Sequence, residues 1–326
     1  METRMPPQGD PRANAADELA VLRDAARPRG FLHEMGDEYR ALYRQGGDIL
    51  LVHFETMSKL RARRSGLPWS TGLHRARNWS TLTVLSEGRT WWRDPELYAF
   101  FDGLTDTGFF DRFESVVFAG GGRSGYAAAA YSVAAPGSTL VLMKPYATLD
   151  RDVAPWETRF RRDWSLDFTS RYGNAARLSE AARHVYLVTD PAEMADAMHA
   201  SLFAGEHVTH LRAHHAGTEI WARLTDMDLI DRIIVLAEGG RLTRERFAQL
   251  WRARRADPGW RKAMTRKIER IDRPAFSKRM MRWLRENAPE SVPTPRRRSR
   301  ALSRLLEIEH SDPMRAIPHR PRLAGE

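Results

Sequence analysis

Val116-Val117-Phe118-Ala119-Gly120-Gly121-Gly122-Arg123-Ser124-Gly125-Tyr126 runs an apolar strand straight into a glycine cluster, and Ala127-Ala128-Ala129-Ala130 continues it as a small-residue helix. A strand, a tight turn and a helix in that order is where α/β proteins place their chemistry. Three devices can be laid over these residues. Gly120-Gly121-Gly122-Arg123-Ser124-Gly125 satisfies G-x-G-x-x-G, the dinucleotide fingerprint. The same residues read as a nucleophile elbow. They also read as a nest of backbone N–H groups at a helix N-terminus, with Arg123 adding a full charge, suited to a phosphate, sulfate or carboxylate. Beside all three stands the plain reading, in which the glycines only permit a tight turn.

Each device makes a demand elsewhere in the chain. A dinucleotide site wants an acidic residue at the end of the next strand to bind the ribose hydroxyls, whereas Thr139 to Met143 ends at Lys144-Pro145, which would suit a 2′-phosphate instead. That fingerprint also normally opens its domain, and here two strands precede it. An elbow wants small residues two positions either side of the nucleophile, because the turn presses them against the neighbouring strand and helix. With Ser124 as nucleophile, Gly122 fits on one side but bulky Tyr126 falls on the other. With position 122 as nucleophile, Gly120 and Ser124 both fit, yet Gly122 has no side chain to attack anything. Sterics therefore favour the register that lacks a nucleophile.

Around this turn, strands at 116–119, Thr139 to Met143, Val185 to Thr189 and Val208 to Arg212 alternate with helices at about 125–135 and 191–203. That rhythm predicts an α/β fold with a doubly wound, mostly parallel sheet. Asp190 ends one of these strands and His214-His215 follow the next, so serine, acid and histidine occur in α/β-hydrolase order, each at a strand end. An active site of this kind would use Ser124 as nucleophile, His214 or His215 as general base and Asp190 to orient the base. Backbone N–H groups near Gly125 and Ser86 would stabilise the oxyanion. An inactive one would hold an anion through Gly120, Gly121, Gly122, Arg123 and Gly125. Asp190-Pro191 is equally an ordinary helix start.

The segments Glu87-Gly88-Arg89-Thr90-Trp91-Trp92, Gly122 to Ala128, Pro145-Tyr146-Ala147-Thr148-Leu149-Asp150 and His215-Ala216-Gly217 resemble a proteobacterial group of α/β-hydrolase-like proteins, over about Leu85 to Ile230. Their elbow is similar to G-x-S-M-G-G-Y-A. Laid on that pattern, the serine falls on Gly122 and the histidine that often follows Ala-Gly falls on Thr218, so the resemblance implies the α/β-hydrolase fold with a degenerate elbow. Chains of this kind also carry a sulfonucleotide-reductase label. The absence of cysteine and of an S-G-G-x-D-S loop argues against that chemistry here.

Upstream, a helix is predicted over Ala15 to Ala26, and Leu32, Met35, Tyr39, Leu42 and Tyr43 repeat at helical spacing across Phe31 to Arg44. Ile49 to Phe54 and Thr81 to Leu85 read as strands, with a basic, turn-rich loop over Arg61 to Leu73 between them. Asp94-Pro95 opens a helix carrying Leu97, Phe100, Phe101 and Leu104 on one face. Trp91-Trp92 would line a ligand cleft or belong to the core. The long stretch from Pro145 to Leu178 is a candidate cap or lid.

Among 326 residues the 42% hydrophobic content supports one large domain with appendages. The absence of cysteine excludes disulfides, thiolate metal sites and every cysteine-dependent mechanism. His207, His210, His214 and His215 cluster without a completing acidic ligand, so no metal and no cofactor is expected. No stretch reads as a secretory signal or a membrane span, and a cytoplasmic protein is expected. The net charge of +10 is uneven: residues 241–326 hold 24 Lys+Arg against 10 Asp+Glu. The basic charge thus belongs to a helical C-terminal extension, in which Trp260, Met264 and Ile268, then Phe276, Met280, Trp283 and Leu284, repeat at helical spacing. The expected divisions are a tail and helix over 1–30, the hydrolase-like domain over 31–240, the basic helical extension over 241–310 and a disordered tail over 311–326. The expected partners are a small anionic or acyl ligand at the turn and, through the basic C-terminal segment, nucleic acid or another acidic polymer; the basic helices read more readily as a solvated face docked on the domain, and Arg296-Arg297-Arg298-Ser299-Arg300 is the better candidate for acidic partners or anionic lipid.

Overall fold

The computed structural model describes residues 11–270 and 272–288, and the chain divides after Arg252 into two compact units. The arginine run at 296–300 and the proline-rich end lie outside the described residues.

The first unit opens with α1 (Pro11–Ala26) and an antiparallel hairpin of β1 (Gly30–Met35) and β2 (Tyr39–Arg44), with Met35 opposite Tyr39. The helix predicted across Phe31 to Arg44 is therefore replaced by two strands. Its apolar residues divide between the two faces of a sheet: Tyr39, Ala41 and Tyr43 enter the main core, while Leu42 packs with Leu22, Met57, Leu60 and Leu85 on the other face. The turn is made at Gly36-Asp37, a hairpin signal that the apolar spacing obscured, and Gly36 adopts φ +57°.

Next come β3 (Ile49–Thr56), α2 (Met57–Arg61), α3 (Thr71–Arg77), β4 (Ser80–Ser86) and α4 (Pro95–Asp106). The loop expected over Arg61 to Leu73 is in part helical, since α2 and α3 encroach on both its ends. Asp94 caps α4 as the sequence suggests: its carboxylate accepts from Glu96 N at 2.8 Å, and Leu97, Phe101 and Leu104 are buried. The unit then alternates through β5 (Ser115–Gly121), α5 (Arg123–Tyr131), β6 (Thr139–Met143), α6 (Ala175–Leu178), β7 (His184–Thr189), α7 (Met194–Ser201) and β8 (Val208–Arg212). It closes with α8 (Ile220–Asp226), α9 (Ile230–Glu238) and α10 (Arg244–Trp251).

The eight strands form one sheet in the order β1-β2-β4-β3-β5-β6-β7-β8. β1–β2 and β2–β4 are antiparallel, and every later pair is parallel. β6 is buried at every position, as a strand covered on both faces must be. α5 packs on β5, β3 and β6, and its buried Ala127 to Ala130 let it come close. The mostly parallel, doubly wound sheet is the architecture that the strand–helix rhythm predicts.

The second unit holds α11 (Pro258–Arg270) and α12 (Pro274–Asn287). Ile268, Met281, Leu284 and Ala288 form its apolar cluster, with Phe276, Met280 and Trp283 packed against it.

Candidate functional site

The C-terminal ends of β5, β7 and β8 bring the turn, Asp190 and the histidine loop to one edge of the sheet, the usual position of function in such a fold. The turn between β5 and α5 has its apex at Gly122, with φ +62° and ψ −124°. This backbone geometry is strained for any residue with a Cβ. Gly122 N donates to Met143 O at 3.0 Å and Gly122 O accepts from Tyr126 N at 3.0 Å, so the apex is tied to both β6 and α5. Strand and helix meet most closely at Gly120, where a Cβ would stand 2.3 Å from Ser124 O. At Gly122 itself a Cβ would meet nothing nearer than Tyr146 Cε2 at 3.7 Å. The apex thus has room for a side chain and carries none.

Ser124 lies two residues beyond that position, as the second residue of α5, and is 7% exposed. Among the described residues no hydrogen bond joins its Oγ to His214 or His215. Tyr126, whose bulk argued against Ser124 as the apex, is wholly buried, and its hydroxyl donates to Tyr172 O at 2.5 Å. Burial, the leading cause, raises its pKa.

Asp190 follows β7 and is 1% exposed. Its Oδ1 accepts from Ala192 N at 3.1 Å and its Oδ2 from Gly217 N at 2.9 Å. The carboxylate therefore reaches the loop after β8 at the backbone immediately before Thr218. His214 is exposed and its carbonyl accepts from Trp251 Nε1 at 3.1 Å, while His215 turns the chain at φ +64°. Asp190 is thus brought to the histidine loop, but its carboxylate oxygens are taken by backbone amides and, among the described residues, by no imidazole.

Arg123 is engaged inside the protein. Its Nη2 donates to Asp163 Oδ2 at 2.8 Å, its Nη1 to Arg89 O at 3.0 Å, and its guanidinium lies 4.9 Å from the Trp91 ring and 5.2 Å from that of Phe160. Trp91 Nε1 donates to the same Asp163 oxygen at 2.8 Å. Trp91 is buried among Tyr126, Tyr146, Phe160 and Phe168 with ring centroids 5.1–5.5 Å apart, and Trp92 is buried against Phe54. Both tryptophans follow the core reading. Ser86 does not suit an oxyanion role, because β3 lies between its strand β4 and the elbow strand β5.

The segment from Pro145 to Leu178 is fastened down. Arg93 donates to the carbonyls of Asp167 and Arg171. Deeper, wholly buried His199 accepts from Ala147 N at its Nδ1 (3.2 Å) and donates from Nε2 to Glu157 (3.0 Å), which assigns the neutral Nε2–H tautomer. Arg159 pairs with both Glu157 and Asp196. Burial alone would raise the Glu157 pKa, but hydrogen bonds from His199 and Arg159 outweigh it and hold the carboxyl at about 2.

One cluster escaped the sequence reading. On β3, His53 donates from Nδ1 to Ala119 O at 2.9 Å, stacks on Trp221 at 5.3 Å and meets Trp69 edge-on at 5.3 Å. Burial lowers its pKa, favouring the neutral ring. Trp221 also covers Gly121, where a Cβ would be 3.2 Å from the indole. The indole therefore packs directly against the glycine turn. The signal was a lone histidine within the apolar run Ile49 to Phe54.

His207 and His210 approach and enter β8, and among the described residues no group of three or more His, Asp or Glu side chains is arranged to hold a metal ion. No helix among them is long and apolar enough to cross a membrane.

No family model matches the sequence, and no curated protein matches it. Solved structures do resemble it. Carboxyl esterase 2 of the mycorrhizal fungus Tuber melanosporum is 14% identical, with 72% of this chain and 99% of that one covered at a TM-score of 0.42. A thermophilic carboxylesterase cloned from a metagenomic library is 14% identical over 75% and 98%, at 0.40. The capsule O-acetyltransferase of Neisseria meningitidis serogroup A is 12% identical over 64% and 98%, at 0.39. At such identities and TM-scores these likenesses carry no functional argument, which rests on this chain's own residues.

Proposed function

We propose that this chain is a catalytically degenerate α/β-hydrolase-like protein, whose elbow survives as a structural turn and a small-ligand site. One observation carries the reading: the apex of the turn, with the backbone geometry that presents a nucleophile, is Gly122. Two further features support it. Thr218 follows the amide that Asp190 holds, at the position where the family pattern has histidine, so neither nucleophile nor base is supplied where the elbow would use them. Arg123 is neutralised by Asp163, which leaves the first-turn amides of α5 as the donors available to an acyl oxygen or a small anion at the positive end of the helix.

A fluorophosphonate probe tests the proposal. The folded wild-type protein is expected to remain unlabelled, and so is Ser124→Ala. Gly122→Ser combined with Thr218→His is expected to take up label, because the apex has space for the serine. Labelling of the wild type that disappears in Ser124→Ala would overturn the proposal and assign Ser124 as nucleophile. Acetate and phosphate titrated against melting temperature report the ligand site, since a ligand bound only to the folded state raises stability by RT ln(1 + [L]/Kd).

A further inference from the structure

The second unit carries a surface that the elbow does not explain. Residues 253–288 contain 12 Lys and Arg against 4 Asp and Glu. In the first unit Arg23, Arg40, Arg61, Arg63, Arg123, Arg159 and Arg171 are ion-paired. In the second unit Lys262, Arg266, Arg273, Lys278, Arg279 and Arg282 are exposed, and none of these side chains has an ion pair or hydrogen bond among the described residues. Holding like charges together without counter-charges costs free energy, which an external polyanion would recover.

We propose that the exposed basic face of α11 and α12 binds the phosphate backbone of duplex nucleic acid without reading its sequence. Lys262 and Arg266, like Lys278 and Arg282, are four residues apart on one helix face, a rise of about 6 Å. That is close to two phosphate steps of about 3.4 Å along one strand. Two other polyanions suit the surface less well. A lipid surface is bound by a helix that offers apolar residues outward, whereas here Met281 and Leu284 are buried and Phe276, Met280 and Trp283 pack inward. Single strands are held largely by stacking on free aromatic rings, whereas Trp260 is 3% exposed and meets Trp283 edge-on at 6.3 Å. The face offers charge without a stacking platform, which suits a regular double helix.

The experiment uses the full chain and a fluorescent mixed-sequence duplex of about 20 base pairs, with anisotropy followed from about 25 to 300 mM salt. Affinity is expected to fall linearly with salt on a log–log plot. Arg279→Ala with Arg282→Ala is expected to weaken binding at least about tenfold at low salt and to reduce the slope by about 2, one for each cation. Lys262→Ala with Arg266→Ala should act alike. Neither pair should lower the melting temperature, because these side chains are exposed and have no ion pair or hydrogen bond among the described residues. The proposal is overturned by an absence of duplex binding at low salt, or by binding that neither pair alters. Tighter binding to a single strand, to phosphatidylserine vesicles or to polyglutamate than to the duplex would overturn it equally.

Discussion

Replacing Gly120 and Gly122 separately by alanine should give very unequal losses, and the inequality tests where the turn has its apex. At Gly122 the added methyl has space, with its nearest neighbour at 3.7 Å, so the cost is the backbone strain of φ +62°, about 1–3 kcal/mol. At Gly120 the methyl would sit 2.3 Å from Ser124 O, 2.6 Å from Ser124 C and 2.8 Å from Gly125 N. All three atoms are backbone of the first turn of α5 and cannot rotate away. Relief to the 3.0 Å that real contacts respect requires α5 to move off β5 by at least ~0.7 Å, in a layer where interior packing has no slack. Overpacking against side chains costs about 1–3 kcal/mol, and against fixed backbone the cost should exceed about 3 kcal/mol. Urea unfolding followed by circular dichroism measures both variants. Gly120→Ala is expected to lose at least about 2 kcal/mol more than Gly122→Ala. Equal losses, or a greater loss at Gly122, would refute the assignment of Gly122 to the apex and Gly120 to the close approach.

Acid should release the latch beneath the 145–178 segment. Glu157 has its pKa depressed from 4.5 to about 2 in the folded state, so its contribution is complete above about pH 4.5 and is lost as pH falls towards 2. With the Arg159 partner partly exposed, that contribution is about 2–3 kcal/mol, and Glu157→Gln should flatten the dependence of stability on pH across this window; an unchanged profile would contradict the pairing. Asp190→Ala leaves the amides of Ala192 and Gly217 without their acceptor. It should cost about 1–3 kcal/mol and speed hydrogen exchange at Gly217, so unaltered exchange there would refute the tether.

The core of the fold could be read along the chain because its signals are local. The buried runs of β5, β6 and β7 are continuous in sequence, and each of these strands ends at a turn residue or a polar one. The hairpin of β1 and β2 could not be read in the same way. Its apolar residues satisfy helical spacing as well as sheet alternation, and only pairing with β4, across Tyr39 to Arg44, selects the strand. The candidate site divides similarly. Tyr126 announces by its bulk that Ser124 is an awkward nucleophile, whereas nothing near Arg123 announces that its charge is spent on Asp163, 40 residues away.

The sequence by itself determined the alternation of strands and helices, the glycine turn after the strand at 116–119, the absence of any thiol chemistry and the basic character of the helical extension. These follow from residue types and their spacing. Tertiary structure alone decided that Trp91, Arg123 and Asp163 close on one another, that Trp221 covers Gly121, and that Lys262, Arg266, Lys278, Arg279 and Arg282 stand exposed with no ion pair among the described residues. Those outcomes depend on which distant surfaces meet when the sheet and its helices pack, and such meetings leave no periodic trace in the chain.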